Sequence, residues 1–180
     1  MADNSSDNER IDFVIPWVDG SDPEWLKERN AVSSDIGKSV SSEVGCGSDS
    51  LKNGDSIEEN SGARYYSWDN LQYWFRGVEK FAPWVNKIHF VTWGHIPPWM
   101  NTDAPKLHIV NHKDYIPEQF LPTFNSNTIE LNFHRIEGLS EKFVYFNDDV
   151  FLLKPAAKED FFRNGRPRDM LAFQPVVANP

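Results

Sequence analysis

Cysteine is nearly missing from this sequence, with Cys46 the single one in 180 residues. A lone cysteine in a polar stretch excludes a disulfide framework and a thiolate metal site within the chain, and favours a reducing compartment. Positive charge is also scarce: 18 Lys and Arg face 27 Asp and Glu, for a formal net charge of -9 and a pI near 5.0. That balance argues against nucleic acid and anionic membrane as partners. A phosphate ligand would need a metal or a local arginine cluster to overcome the field. No apolar run approaches the roughly 20 residues that cross a bilayer. The opening MADNSSDNER has no apolar core after it, so the expectation is a soluble chain without secretory signal or transit peptide. Glycine-rich phosphate motifs are missing too: there is no P-loop and no dinucleotide fingerprint, and VDGSD carries one Gly. Ser21 lacks a nucleophile-elbow pattern, which argues against a hydrolase triad.

What is present is aromatic. The hydrophobic share is low at 39%, but 14% of residues are aromatic, including 7 Trp and 13 Phe, and large rings can supply the buried area. The length suits one domain, read as 11–180 after a flexible tail over 1–10. From Val32 to Ala63, a Ser, Gly, Asp, Asn and Glu-rich stretch cannot offset its ordering entropy by burial. It is read as a disordered insertion at 32–63, serving as a lid or simply tolerated.

Four short segments rich in β-branched and aromatic residues read as strands: IDFVIPWV, KIHFVTW, KLHIV and KFVYF. Between the first two, Leu71, Trp74, Phe75, Val78 and Phe81 share one helical face, and Pro83 stops the helix. Between the last two, SNTIELNFHRIEGL places Ile129, Phe133 and Ile136 on a stripe and is expected to run as one helix toward Gly138. The link GHIPPWMNTDAP is too proline-rich for a long helix. Alternating strands and helices imply an α/β domain with a mostly parallel sheet and flanking helices.

Polar residues gather at the strand ends. The first strand closes on Asp19, Gly20, Ser21 and Asp22, the second on Thr92 to Gly94, the third near His112, and the fourth on Asn147, Asp148 and Asp149. Ligands of open α/β sheets sit outside these carboxyl ends. Adjacent strand side chains face opposite ways, so Asp148 and Asp149 reach one ligand only if the chain turns there. Their oxygens suit Mg²⁺ or Mn²⁺ with substrate phosphates and water completing the shell; an isolated pair equally caps a turn. Glu130, His134 and Glu137 recur at i, i+4 and i+7, beside Arg135. Such a row serves as metal ligand or general base, though taken alone it is more often a solvated face. His89, His95 and His108 read as structural or surface residues. Arg64, Arg76 and Arg135 are the cations that could meet a phosphate, or equally pair with surface acids.

The segment IDFVIPWVDGSDPEW resembles the first conserved block of the Stealth proteins, sugar-1-phosphate transferases of bacterial capsule and exopolysaccharide synthesis. RYYSWDNLQYWFRGVEKFAPWVNKIHFVTWGHIPPWMN with LPTFNSNTIELNFHRIEGLSEKFVYFNDDVFLLKP resembles the second. The resemblance covers nearly all of the chain outside the tail and the polar insertion. It implies a Rossmann-like fold similar to nucleotide-sugar transferases. The implied reaction is attack of an acceptor sugar hydroxyl on the β-phosphorus of a UDP-sugar, typically UDP-N-acetylglucosamine, releasing UMP.

By the same resemblance, Asp148 and Asp149 hold Mg²⁺ (or Mn²⁺), while Asp19 and Asp22 line the nucleotide or metal site. Glu130 and His134 orient or deprotonate the acceptor, and Arg64 and Arg135 contact phosphate. Gly20, Asp69, Arg76, Thr123 and Asn147 complete the substrate-binding set. The implied partners are a UDP-sugar and a polysaccharide or oligosaccharide acceptor, on the cytoplasmic side, with peripheral membrane association left open. Family members continue through further blocks, so a chain ending at Pro180 is expected to be an incomplete catalytic unit. A metal-dependent glycosyltransferase releasing UDP and a non-catalytic nucleotide-sugar-binding fragment are the competing readings.

Overall fold

The four apolar segments pair as strands in a single sheet of the computed structural model, which describes residues 9–32 and 68–169. They are β1 (Ile11–Trp17), β2 (Ile88–Thr92), β3 (Leu107–Asn111) and β4 (Lys142–Tyr145). All neighbours are parallel and the order is β3-β2-β1-β4. This is the α/β arrangement with a parallel sheet expected from the alternation of elements, and it agrees with the Rossmann-like fold that the resemblance implies. The order reverses between β1 and β4, so their carboxyl ends open a crevice there. The tail over 1–8, Arg64 and nearly all of the insertion expected at 32–63 lie outside the described residues.

Strand periodicity decides which side chain meets which layer. Along central β1, Ile11, Phe13 and Ile15 face one side and Asp12 and Val14 the other, all five buried. On the first side packs α2 (Leu71–Phe81), which buries Leu71, Trp74 and Val78 at helical spacing. Phe13 meets Trp74 edge-on at 6.4 Å and lies 4.7 Å from Phe146, so the rings do fill this core. Gly77 permits the close approach of the chain after β4, since a Cβ there would stand 3.3 Å from the Leu152 carbonyl. The second side is covered by Tyr115, Ile116, Phe133 and Ile136 over Val14, Val91 and Val110. As expected, residues 93–106 cross from β2 to β3 without a helix.

Two helical expectations need correction. Residues 23–32 form a helix, α1, that the apolar pattern did not mark. Its signal was its start: the Asp22 carboxylate accepts the Trp25 N–H at 2.8 Å, with Pro23 in the first turn. Conversely, SNTIELNFHRIEGL is not one helix. After the single turn α3 (His112–Tyr115), helix α4 spans only Ser126–Leu131, and a separate 3₁₀ turn covers Phe133–Arg135. Asn132 makes the break, because its side-chain amide donates to the Thr128 carbonyl at 2.8 Å and competes with the helical ladder. Glu130, His134 and Glu137 therefore do not form the row that an unbroken helix would give.

Asp12 is a fully buried carboxylate in the middle of an apolar strand. It accepts from Asn86 Nδ2 (2.8 Å), Lys87 N (3.0 Å), Ser140 N (2.8 Å) and His89 Nε2 (3.1 Å). His89 Nδ1 in turn meets His108 Nδ1 at 2.9 Å. Burial alone would raise the Asp12 pKa, but the bonds from His89, Asn86 and Ser140 outweigh it and hold the carboxyl far below its ordinary range. The amino ends of three strands are thereby tied together, opposite the crevice. A turn of the short helix α5 (Lys158–Phe161) and the two-residue strands β5 (Phe162–Arg163) and β6 (Arg166–Pro167) follow.

Candidate active site

The loop after β1 is folded by its own carboxylates. Asp19 Oδ1 accepts from Ser21 N (2.9 Å) and Ser21 Oγ (2.6 Å), and Asp22 N closes a turn on the Asp19 carbonyl at 3.1 Å, with Gly20 inside it. The Ser21 hydroxyl, against the opposing effect of burial, holds the Asp19 carboxyl below its usual range. From β2, the turn at Gly94, whose φ of 150° suits glycine, presents His95. Its Nε2 accepts the Asp19 N–H at 2.7 Å, and its Nδ1 lies 3.9 Å from Asp22 Oδ2. Burial lowers the His95 pKa more than Asp22 and Asp19 raise it, consistent with an imidazole that must keep a lone pair. The reading of His95 as structural missed that it shapes the candidate site.

A cavity of ≈ 350 Å³ opens at the carboxyl ends of β1 and β4. Thr123, Glu130, Asn147 and Asp148 line it together, as does Val18 beside Asp19. Trp25, Phe124 and Ile129 form apolar wall, and His112 is also exposed to it. Asn125 caps α4 by accepting from Asn127 N (2.8 Å) and Thr128 N (3.4 Å), which sets the helix that carries Glu130. The Tyr145 hydroxyl lies 3.0 Å from Glu130 Oε1 and close against the Asn147 side-chain oxygen. Burial, then Glu130 and the two Asp charges, raise the Tyr145 pKa, so the phenol stays a donor.

After Phe146 the chain turns, with Val150 N bonded to the Asn147 carbonyl at 3.1 Å. A turn thus stands at the carboxylate pair, but of the two only Asp148 lines the cavity. Desolvation first, and the Asp149 charge second, raise the Asp148 pKa. A cation would relieve that repulsion, so the pair fits one. Among the described residues no group of three or more His, Cys, Asp or Glu could hold a metal. With two neighbouring carboxylates alone, an ion bound here would have to take the rest of its oxygens from phosphate and water.

Other residues singled out in the sequence stand elsewhere. Asp19 and Asp69 line a second cavity against Trp17, on the α2 side, with Pro97, Pro98 and Trp99. Arg76 is exposed, lies 5.6 Å from the Tyr73 ring and lines a third, apolar groove. His134 and Arg135 are exposed on the 3₁₀ turn, where His134 Nδ1 meets the Leu131 carbonyl at 2.9 Å; neither lines the first cavity. No Arg or Lys lines that cavity among the described residues. His112, which the sequence marked only as the polar end of the third strand, lines the cavity: it is buried, its Nδ1 has no hydrogen-bond partner, and burial, with a smaller effect of His95, pushes its pKa down to about 4. Its signal was its place just after the third strand.

The Stealth protein conserved region 1 matches residues 9–37 and conserved region 2 matches residues 64–169. The chain is 47% identical over 167 residues to a capsular polysaccharide phosphotransferase, WcwK, of Streptococcus pneumoniae, covering 93% of this chain and 45% of that protein. It is 41% identical to the capsular polysaccharide phosphotransferase CpsJ of Streptococcus thermophilus, covering 93% and 63%. With the receptor polysaccharide phosphotransferase WefC of Streptococcus oralis it shares 43% identity, covering 93% and 46%. The chain thus spans about half the length of the curated relatives it matches. With both conserved regions in order over the sheet and its crevice, the chain belongs to the Stealth family.

Proposed function

We propose that this chain carries the donor-phosphate end of a sugar-1-phosphate transferase of capsular or exopolysaccharide synthesis. The observation that carries the reading is the convergence of Glu130, Asn147 and Asp148 in one cavity at the sheet's switch point. The relatives, named as polysaccharide phosphotransferases, support the same class. The donor is a UDP-sugar, with UDP-N-acetylglucosamine the first choice. An acceptor sugar hydroxyl attacks the β-phosphorus, the bond to the UMP oxygen breaks, and a phosphodiester is left.

Such a transfer depends on in-line positioning and on neutralising oxyanion charge. Asp148 and Asp149 would hold Mg²⁺, or Mn²⁺, which supplies that neutralisation when bound. Glu130, oriented by the Tyr145 hydroxyl, takes the acceptor proton. The Asp19–Asp22 loop, braced by His95, shapes the nucleotide side. Thr123 and Asn147 contact substrate at the rim, while Arg64, Arg76, Arg135, His134, Gly20 and Asp69 remain proposed contacts from the family pattern. A UDP-sugar donor places the reaction on the cytoplasmic side, at the inner face of the membrane where a growing polysaccharide is within reach. Among the described residues no helix is long and apolar enough to cross a membrane.

The test is the nucleotide released from UDP-N-acetylglucosamine with Mg²⁺ and a polysaccharide acceptor, for this chain and for a longer one extended past Pro180. UMP supports the reading. UDP means that the sugar alone moves, and overturns it in favour of a glycosyltransferase.

A further inference from the structure

The floor of the first cavity is not explained by phosphate chemistry. His112 is 9% exposed, lines the cavity, and leaves Nδ1 buried without a hydrogen-bond partner. An unsatisfied buried polar atom is costly, and a ligand in the cavity recovers that cost where a small turn of the ring brings the atom to it. The ring is neutral at physiological pH because burial keeps protons off it. It therefore adds no charge for an anion, and the donor phosphate has its proposed partner in a cation at Asp148 and Asp149 rather than in this ring. The complementary group is uncharged and hydrogen-bonding. Around it stand Trp25 and Phe124, edge-to-face with ring centroids 5.6 Å apart, and Ile129. Apolar rings with one convergent polar group, in ≈ 350 Å³, suit a pyranose ring.

We propose that His112 is a specificity-determining residue that hydrogen-bonds a hydroxyl or acetamido group of the acceptor sugar, seated between Trp25, Phe124 and Glu130. This deepens the transferase reading and rests on it, because it is Glu130 in its proposed role as base that makes the ring in this cavity the acceptor. A site built to bond a hydroxyl discriminates strongly against an analogue lacking it, since the buried group is then left unpaired. His112 would thus select the acceptor without taking part in proton transfer.

The experiment is an NMR titration of the 180-residue chain, with ¹³C-labelled histidine, against a panel of free hexoses and N-acetylhexosamines, with UMP as comparator. The expected result is that at least one sugar shifts the His112 ring signals, assigned by their loss in His112→Asn. In His112→Leu that sugar binds about tenfold more weakly, the loss of one hydrogen bond, while UMP binding is unchanged. His112→Asn, whose amide can bond near the place of Nδ1, keeps most of the affinity. Thermal unfolding of each variant separates lost binding from lost folding, and the Asn variant serves if the Leu variant fails to fold. No His112 shift with any sugar, wild-type sugar affinity in a folded Leu variant, or equal loss of UMP binding would each overturn the proposal. Release of UDP with sugar binding at His112 intact overturns the phosphotransferase reading and leaves the sugar subsite standing.

Discussion

The backbone N–H of Asp19 donates to Nε2 of His95 across 2.7 Å, so the turn after β2 holds the loop after β1. The same ring stands edge-on to Trp17 at 5.2 Å, and the Thr92 hydroxyl donates to the His95 carbonyl at 2.7 Å, fixing the turn. His95→Leu removes the acceptor and leaves an N–H without its partner. It is expected to weaken UMP binding about tenfold, with a stability loss of about 1 kcal/mol. His95→Gln, which retains a side-chain acceptor, should recover part of both. Calorimetric titration of UMP with urea unfolding checks this; unchanged UMP affinity in His95→Leu removes the loop from the nucleotide side.

Asp12 gives a second expectation, for stability alone. Asp12→Ala strands His89 and three N–H donors inside the protein, and leaving several buried donors without their partner costs about 3 kcal/mol or more. Urea unfolding should show that loss. Because the Asp12 network sits at the amino ends of the strands, ligand affinity in whatever fraction remains folded should be unaltered.

Much of the sheet was legible because burial imposes a period. Ile11, Phe13 and Ile15 alternate with Asp12 and Val14, and Leu71, Trp74 and Val78 mark one face of α2, so strand and helix follow from which residues must leave water. The length of α4 was not legible in that way: Ile129, Phe133 and Ile136 keep a helical stripe across a break that one Asn132 side-chain bond produces. The opposite failure occurs at α1, whose Asp-Pro start was present without a clear apolar stripe. For the site, sequence marked the carboxylates at the strand ends. That Asp148 shares a cavity with Glu130 depends on how α4 sits at the carboxyl end of β4, where Tyr145 meets Glu130, a property of the fold. Asp12 was overlooked, and the parts that His95 and His112 play were not legible, for a common reason: each matters through what it meets 70 or more residues away, or through what it fails to meet.

Acid should destabilise the chain through its buried imidazoles. His112 has a folded pKa of about 4 against an ordinary 6.5, so between those values the unfolded chain binds the extra proton. Stability is therefore whole above about pH 6.5 and declines as pH falls toward 4, by up to about 3 kcal/mol from this group. His95 and His108 are shifted the same way and add to the slope. Urea midpoints at several pH values should show the decline, and His112→Asn should flatten it. A variant slope equal to wild type would mean that His112 does not stay neutral.

Tyr145 acts through Glu130. Tyr145→Phe keeps the ring that packs 5.5 Å from Phe133 but removes the hydroxyl that holds Glu130 Oε1. A positioning role predicts a fall in kcat of about 10-fold or more with little change in KM for the donor, since orientation of a base is felt in the transition state. A merely structural hydroxyl would change thermal stability and leave that ratio untouched.

The proposed metal site rests on Asp148 and Asp149. Asp148 is harder to ionise than an ordinary Asp because of its desolvation first and the neighbouring Asp149 charge second. Protons therefore compete with a cation at Asp148, and cation affinity should climb as pH rises through the upper carboxylate range. Only two carboxylates are offered, so Mn²⁺ should bind weakly to the chain alone and more tightly once a nucleotide diphosphate supplies further oxygens. Asp148→Asn removes a ligand and half of the local charge while preserving the side chain's size. It should lower Mn²⁺ affinity in the presence of UDP about tenfold or more, and turnover with it, because the charge at the departing oxygen is then left unneutralised. Asp149→Asn should also bring the Asp148 carboxyl back toward its ordinary pKa, a change visible by NMR in the absence of any metal. Full turnover in Asp148→Asn would take that carboxylate out of the metal site, whatever the nucleotide product proves to be.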